Sequence, residues 1–223
     1  MRKLTVALLL VTMSFVLMGC GKEDNSTPEA GTSEEVITED SVQVPEADSE
    51  VTEDVSSEDA DTTISDSASV TILTDVWSAY AEEEKFPAMG GDYTTMVDGA
   101  PGAFDITKTE DLAAMLYVPA DLAGQIDEGA SLLHGMNLNT FTGAALHLTD
   151  ASNADAFTTA LKENILGTQW MCGFPDTLVI YTVNGEYVVY AFGNVDAIST
   201  FKAKVVEVYG DNAVLVAEEN LAG

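Results

Sequence analysis

Cysteine and basic residues are both scarce in this chain of 223 residues. It has two cysteines, Cys20 and Cys172, and only 8 Lys and Arg against 38 Asp and Glu, for a formal net charge of −30. Nucleic-acid binding depends on Lys and Arg that neutralise phosphate, so this balance excludes a nucleic-acid partner. With two cysteines, the chain can form at most one intramolecular disulfide.

Sequence signatures of catalysis and metal binding are missing as well. The chain has no G-x-S-x-G, no phosphate loop and no dinucleotide fingerprint. Its two histidines, His134 and His147, stand in no close pairing with each other or with a cysteine of the kind that metal sites use. We therefore expect no metal, no cofactor and no catalytic activity.

Cys172 is the one residue that suggests a nucleophile. Its neighbours from Trp170 to Pro175 are mostly apolar, and no Lys or Arg stands beside it to lower the thiol pKa. This favours an inert, packed thiol. The alternatives are an intermolecular disulfide, or a nucleophile that has His134 or His147 as its base.

The N-terminus predicts a secretory signal and a lipid anchor. Arg2 and Lys3 precede an apolar run from Leu4 to Met18, which is short for a segment that must span about 30 Å of hydrocarbon. The run ends in Leu17-Met18-Gly19-Cys20, which resembles the lipobox of bacterial lipoproteins. That resemblance implies a signal peptide over 1–19 and acyl chains such as palmitate on Cys20. Cys172 is then left without a partner for an intramolecular disulfide. The mature protein is then held on the outer face of the cell membrane; the alternative is an uncleaved anchor.

We predict that residues 20–70, which begin with the lipidated Cys20, form an acidic disordered tether. Positions 21–70 contain no aromatic residue and carry sixteen acids against Lys22, a net charge of 1 − 16 = −15. Low hydrophobicity with high net charge does not bury enough apolar surface to order a chain. The acids also lack the spacing of an EF-hand calcium loop.

Residues 71–223 form a single α+β domain that is itself acidic. Its 22 acids and 5 lysines give a net charge of 5 − 22 = −17, so we expect a neutral or basic ligand or partner. Strand and helix periods alternate in its C-terminal half as β-α-β-β-α-β, which predicts a ferredoxin-like core. The predicted elements are strands over 142–149, 177–183, 187–192 and 213–217, a helix that starts from a capping box at Ser152 and Asp155, and a helix capped by Asn194.

The N-terminal half of the domain predicts additions to this core. We expect two extra helices, over 72–85 and from Thr107 to about Pro119, and one possible extra strand over 130–136. Strands 177–183 and 187–192 are apolar on both faces, which indicates a sheet covered on both sides. The N-terminal helices are then expected to supply the second layer, and the extra strand leaves the strand order open.

Two short segments resemble an uncharacterised family of Gram-positive bacterial lipoproteins. They run from His134 to Phe141 and from Trp170 to Asp176, and the strand from Tyr187 to Gly193 adds to the likeness. The resemblance covers roughly residues 93 to 219 and implies an envelope location with no established activity. The candidates for a surface site or pocket, taken from these segments, are His134, Asn137, Trp170 and Cys172.

A compact domain on a lipid-anchored tether, without a catalytic constellation, predicts a binding or accessory module of the cell envelope. The alternatives are a solute-binding component of a transporter, which normally needs two lobes, and a small envelope hydrolase. A large concave pocket with converging polar groups would favour the alternatives. A small exposed apolar patch would favour the binding module.

Overall fold

A computed structural model of the chain describes residues 67–171 and 173–221. The predicted signal peptide, Cys20, nearly all of the predicted tether and Cys172 lie outside these residues. The described part of the chain is α+β, as predicted, with four α-helices and an eight-stranded antiparallel sheet. None of the helices in these two ranges is both long and apolar enough to cross a membrane.

Most of the predicted elements are present with shifted ends. The helices are α1 Ala68–Ser78, α2 Thr109–Met115, α3 Ala154–Leu166 and α4 Val195–Tyr209. The strands are β1 Ala88–Gly90, β2 Val97–Asp98, β3 Gly102–Ala103, β4 Ile126–His134, β5 Phe141–Leu148, β6 Thr177–Val183, β7 Tyr187–Gly193 and β8 Ala213–Asn220. Helix α1 begins before the predicted domain boundary at residue 71, because Ser67 accepts a hydrogen bond from the Val70 N–H at 3.3 Å and caps it.

The strand order differs from the ferredoxin-like arrangement. The order is β2-β1-β4-β5-β7-β6-β8, and β3 also pairs with β4. A ferredoxin-like core would place its last strand, here β8, beside its first strand, β5. Instead the extra strand β4 forms a hairpin with β5 and occupies that position, so β8 lies at the far edge beside β6.

This strand order also decides where the helices lie. Strands β5 and β6 are parallel, because both run antiparallel to β7, and β7 and β8 are parallel for the same reason. Each parallel pair is joined through a helix, and such crossovers are almost always right-handed. Both crossovers lead in the same direction across the sheet, but the strands of one pair run opposite to the strands of the other pair. Helices α3 and α4 therefore belong on opposite faces.

Two hydrophobic layers confirm that the sheet is covered on both sides. On one face α1 and α4 pack on the sheet, for example through Trp77 and Phe201. On the other face α2 and α3 pack through residues such as Leu112 and Phe157. The N-terminal helices are thus divided between the layers, one on each face, rather than forming a second layer of their own.

Local turn chemistry is confirmed at the hairpin between β6 and β7. Asn184 has φ 53° and Gly185 has φ 82°, the positive values that a type I′ turn requires at both central positions. The side chain of Asn194 caps α4 by accepting from the Ala197 N–H at 2.9 Å.

The capping box predicted at Ser152 and Asp155 is not formed. Residues 151–153 make a turn of 3-10 helix, so α3 begins one residue later, at Ala154. The cap belongs to this turn: Asp150 accepts from the Ser152 N–H at 2.9 Å and leaves Ser152 as a donor.

Candidate functional site: a methionine-lined groove

A shallow cavity of about 230 Å³ lies at the end of the sheet where β4 turns toward β5. Four methionines line it: Met89, Met96, Met115 and Met136. The other lining residues are Gly90, Gly91, Tyr93, Leu133, His134, Gly135, Asn137 and Leu138. We call this cavity the methionine groove. No acid, lysine or arginine is among these residues of the described chain.

The concentration of methionine here is unusual for this chain. It has eight methionines, of which three lie in the first eighteen residues. Four of the remaining five line the groove. The fifth, Met171, is 93% exposed and belongs to a neighbouring segment. Methionine is flexible and polarisable, so a groove built from it adapts its shape to apolar side chains of different form.

Much of the lining is exposed rather than sealed in the core. The exposed fraction is 84% for Met136, 60% for Met96 and 58% for Tyr93. Together with the floor of the cavity, these side chains form a concave apolar area of the surface.

One wall of the groove depends on a close approach of two backbone segments. A Cβ atom on Gly90 would lie only 2.1 Å from the backbone nitrogen of Gly102, so a side chain there has no room. Gly91, which follows, has φ +84° and turns the chain away from β1. These two glycines let the segment that carries Tyr93 and Met96 fold back over the end of the sheet.

A buried carboxylate holds that segment in place. Asp92 is fully buried and accepts hydrogen bonds from the Thr94 N–H at 2.7 Å, the Asp105 N–H at 3.1 Å and the Lys108 ammonium at 3.0 Å. Burial alone would raise the pKa of Asp92, but these hydrogen bonds, led by those from Thr94, hold the pKa well below its usual value. A charged Asp92 therefore fixes the loop on both sides of Met96.

His134 and Asn137, two of the residues singled out in the sequence, both line the groove. The His134 ring stacks on Phe86 at a centroid distance of 5.4 Å, and its Nδ1 accepts from the Met136 N–H at 3.3 Å. Asn137 Oδ1 accepts from the Asn139 N–H at 3.0 Å and shapes the turn between β4 and β5. Both side chains build the rim of an apolar groove.

Trp170, the third candidate, lies beside the groove but does not line it. It packs against Tyr117 and Phe192, with ring centroids 5.0 and 5.3 Å away. The segment that follows is tied to the groove rim, because Asn139 Nδ2 donates to the Gly173 carbonyl at 3.0 Å. Phe174 comes next in the chain and is 70% exposed. Cys172, the fourth candidate, lies outside the described residues.

The charge of the domain as a whole is strongly negative. Each lysine of the domain is already paired with a carboxylate, which leaves the remaining acids in excess. The pairs are Lys85 with Glu82, Lys108 with Asp92 and Asp105, Lys162 with Glu219, Lys202 with Glu218, and Lys204 with Glu84 and Glu207. The electrostatic potential therefore attracts cationic partners and repels anionic ones.

His147 lies at the opposite end of the β4–β5 hairpin from His134. Its Nδ1 is 2.5 Å from Asp127 Oδ1, and its Nε2 is 3.8 Å from Glu186 Oε2. Burial would lower the pKa of His147, but the hydrogen bond and charge of Asp127, with Glu186 and Glu128, raise it. The two histidines cannot share a site. Across 67–171 and 173–221, no group of three His, Cys, Asp or Glu residues is arranged to hold a metal ion.

A second cavity, of about 450 Å³, lies on the other side of the Asp92 loop. Its floor includes Phe104 and Ile106, and its walls carry carboxylates that are engaged within the protein. Glu128, for example, accepts from the Ser69 N–H at 2.5 Å, at the start of α1. The polar groups of this cavity hold the fold together.

Comparison with known proteins identifies no relative. No protein-family model matches the chain, and it is matched neither by a curated protein nor by a solved structure.

Proposed function

We propose that this protein is a binding module of the bacterial cell envelope, held on the outer face of the membrane by lipid on Cys20. It uses the methionine groove to dock an apolar side chain from a neutral or basic segment of another envelope protein. The single observation that carries this proposal is that four of the five methionines beyond the signal sequence line one groove.

The size of the groove supports a protein segment as its occupant. Small-molecule sites usually enclose about 300–1,000 Å³ and bury most of the ligand. The groove has about 230 Å³, is open, and offers few polar groups to orient a small molecule. It is large enough for one or two apolar side chains of a partner, with Met96 and Met136 adapting to their shape.

The charge of the domain selects among such partners. Lysines or arginines that flank an apolar anchor would meet a surface with a net charge of −17, which speeds encounter and favours correct orientation. Acidic segments and anionic polymers are repelled.

The anchor and tether give the module its reach. Two or more acyl chains hold a protein firmly on a membrane, because each buried methylene contributes about 0.8 kcal/mol. A tether of the kind that the sequence predicts over residues 20–70 would have an r.m.s. span of about 40 Å. The domain is thereby free to find partners at some distance from the lipid surface.

The experiment places a photo-crosslinking amino acid at Met96 in cells that process lipoproteins. We expect covalent adducts with another envelope protein. A second substitution, Met136→Glu, should reduce their yield at least tenfold, because it puts a charge in the groove. Met171→Glu is the matched control: it makes the same chemical change at an exposed methionine outside the lining, and adducts should persist.

Equal yields from the Met136→Glu and Met171→Glu variants would contradict docking in the groove. The anchor is tested separately by Cys20→Ala, which should move the protein from the membrane to the medium or leave an unprocessed precursor. Unmodified Cys20 on membrane-bound mature protein, found by mass spectrometry, would refute the lipid anchor.

The second cavity supports one alternative, a solute-binding component of a transporter, because its volume of about 450 Å³ falls in the range of small-molecule sites. Its acidic walls would suit a small amine. Putrescine at millimolar concentration should leave the melting temperature unchanged under our proposal, and a rise of several degrees would favour the alternative. We propose no hydrolase, because His134 uses Nδ1 to accept a backbone N–H, and His147 lies at the opposite end of the β4–β5 hairpin.

A further inference from the structure

The two edges of the sheet are unequal. One edge is β2, which has only two residues, Val97–Asp98. The other edge is β8, which has eight residues, Ala213–Asn220. Among the residues that the structure describes, β8 pairs with no strand other than β6, so the outer side of residues 213–219 carries no paired strand. Long open edges are templates for pairing with another strand.

Strand β8 also exposes apolar side chains where an edge is usually protected. Val214 is 58% exposed, Leu215 46% and Val216 42%. The strand contains no lysine or proline, two of the devices that keep edges apart. A register shift in its pairing with β6, opposite Ile180 and Tyr181, leaves Val216 as an extra residue. The bulge bends the strand without covering it.

The acids of β8 are neutralised from both faces of the sheet. Lys202 on α4 lies 2.5 Å from Glu218, and Lys162 on α3 lies 3.4 Å from Glu219. Two of the five lysines of a strongly acidic domain are thus placed at this edge. The local repulsion that would keep two copies of β8 apart is removed here, although the rest of each domain stays negative.

From these features we propose that two copies of this chain associate through β8, pairing edge to edge and antiparallel about a twofold axis. An antiparallel strand pair is its own complement under such an axis, so one sequence supplies both sides of the interface. The backbone supports it too. The Leu221 N–H donates to the Asp176 carbonyl. Residues of an antiparallel pair direct their backbone groups alternately toward and away from the partner strand, so the backbone groups of Glu219 face β6 and those of Glu218 point outward.

The proposal predicts an unusual dependence on salt. The interface is apolar and made by backbone groups, whereas the two bodies repel each other through their net charge. Salt screens that repulsion, over about 8 Å at 0.15 M ionic strength, and leaves the backbone pairing largely unaffected. Dimerisation should therefore become stronger, by about tenfold or more in Kd, between 0.02 M and 0.5 M NaCl.

The test is sedimentation velocity on residues 21–223, which lack the predicted signal and lipid but retain every described residue. We expect a concentration-dependent monomer–dimer equilibrium. Val216→Lys should give a monomer at all concentrations, because it adds charge to the edge. Val97→Lys is the matched control on the opposite edge, where the residue is similarly exposed (40% against 42%), and it should leave the dimer intact.

An unchanged melting temperature shows that a variant folds. If Val216→Lys does not fold, Val214→Lys takes its place in the test. A monomeric wild-type chain at millimolar concentration in 0.5 M NaCl would overturn the proposal. So would equal dimerisation of the edge variant and the Val97→Lys control. Met136→Glu should leave the dimer unchanged, which separates this surface from the methionine groove.

Discussion

Replacing Asp92 by Asn tests whether one buried charge holds the wall of the methionine groove. The substitution keeps the size of the side chain but removes the charge and turns one acceptor atom into a donor. Asp92 Oδ1 accepts from Thr94, Thr95 and Lys108, and Oδ2 accepts from the Asp105 N–H. The amide of the variant is best placed with its nitrogen at Oδ2, where it faces the Asp105 N–H and leaves that donor unpaired.

The cost follows from these contacts. A buried N–H without a partner costs about 1–3 kcal/mol, and the bonds that remain lose the strengthening that a charged acceptor gives. We expect Asp92→Asn to lower the free energy of unfolding by about 3 kcal/mol, at the lower end of the range of about 3–5 kcal/mol for broken buried ion pairs. Lys108→Met should also destabilise the fold, because it removes the cation that faces a fully buried carboxylate.

Urea unfolding at several pH values measures this loss of the free energy of unfolding. With a slope of about 2 kcal/mol per molar, the midpoint of Asp92→Asn should fall by about 1.5 M at pH 7. Because folding lowers the pKa of Asp92, its contribution is present above the unfolded pKa of about 3.9 and is lost as the pH falls below it. The gap between wild type and variant should therefore narrow below pH 4. A pH 7 difference under 0.5 kcal/mol would refute the reasoning.

Three further predictions concern other parts of the fold. Tyr190→Phe should lower the free energy of unfolding, measured in urea, by about 1–2 kcal/mol, because the buried Tyr190 hydroxyl donates to a carbonyl at 2.6 Å. Tyr80→Phe should leave it unchanged, because the buried Tyr80 hydroxyl has no partner among the described residues. Folding raises the pKa of His147, so the stabilisation that His147 provides is present below about pH 6.5 and is lost as the pH rises through the folded pKa. His147→Gln should therefore destabilise the fold more at pH 5.5 than at pH 9. An NMR titration of the Asp127→Asn variant should find the pKa of His147 lowered. Gly185→Ala should cost about 1 kcal/mol, because φ at this position is 82°, and an unchanged urea midpoint would contradict the turn assignment.

Element types were predictable because each depends on a local pattern. The period of apolar residues over 177–183 and the Asn184-Gly185 pair lie within a dozen residues, and both are confirmed. The helix start at Ser152 was wrong, because Asp150 competes for the same backbone donors and a 3-10 turn intervenes. Choices between neighbouring caps differ by less free energy than sequence patterns resolve.

Strand order was not predictable from local patterns, because two strands, β4 and β8, can each take the place beside β5. Strand β4 precedes it by a turn of only six residues, 135–140, so their hairpin closes at little entropic cost. The ferredoxin-like order needs a return of β8 from more than sixty residues away. The sequence predicts the extra strand and leaves the strand order open, and the structure shows that β4 takes the place beside β5.

The candidate site was only partly foreseen. His134 and Asn137 are site candidates from their segment, and both line the groove, whereas the sequence gives no site role to Met89, Met96 or Met115. They are separated along the chain and meet only through the pairing of β1 with β4 and the loop held by Asp92. The available signal was compositional: five methionines beyond the signal sequence, with four of them within 89–136.

Methyl-labelled methionine gives the most direct test of the central claim, that the methionine groove binds an apolar segment with basic flanks. Residues 21–223 contain five methionines, so the spectrum has four groove signals and Met171 as an internal reference. A short peptide with a central Leu-Leu pair and flanking lysines should shift the four groove signals in a saturable manner at 0.15 M NaCl. Met136→Glu should abolish the shifts of the three groove signals that remain, and Met171→Glu should preserve the shifts of all four. Groove signals that stay unmoved, or that move equally in both variants, would contradict the account.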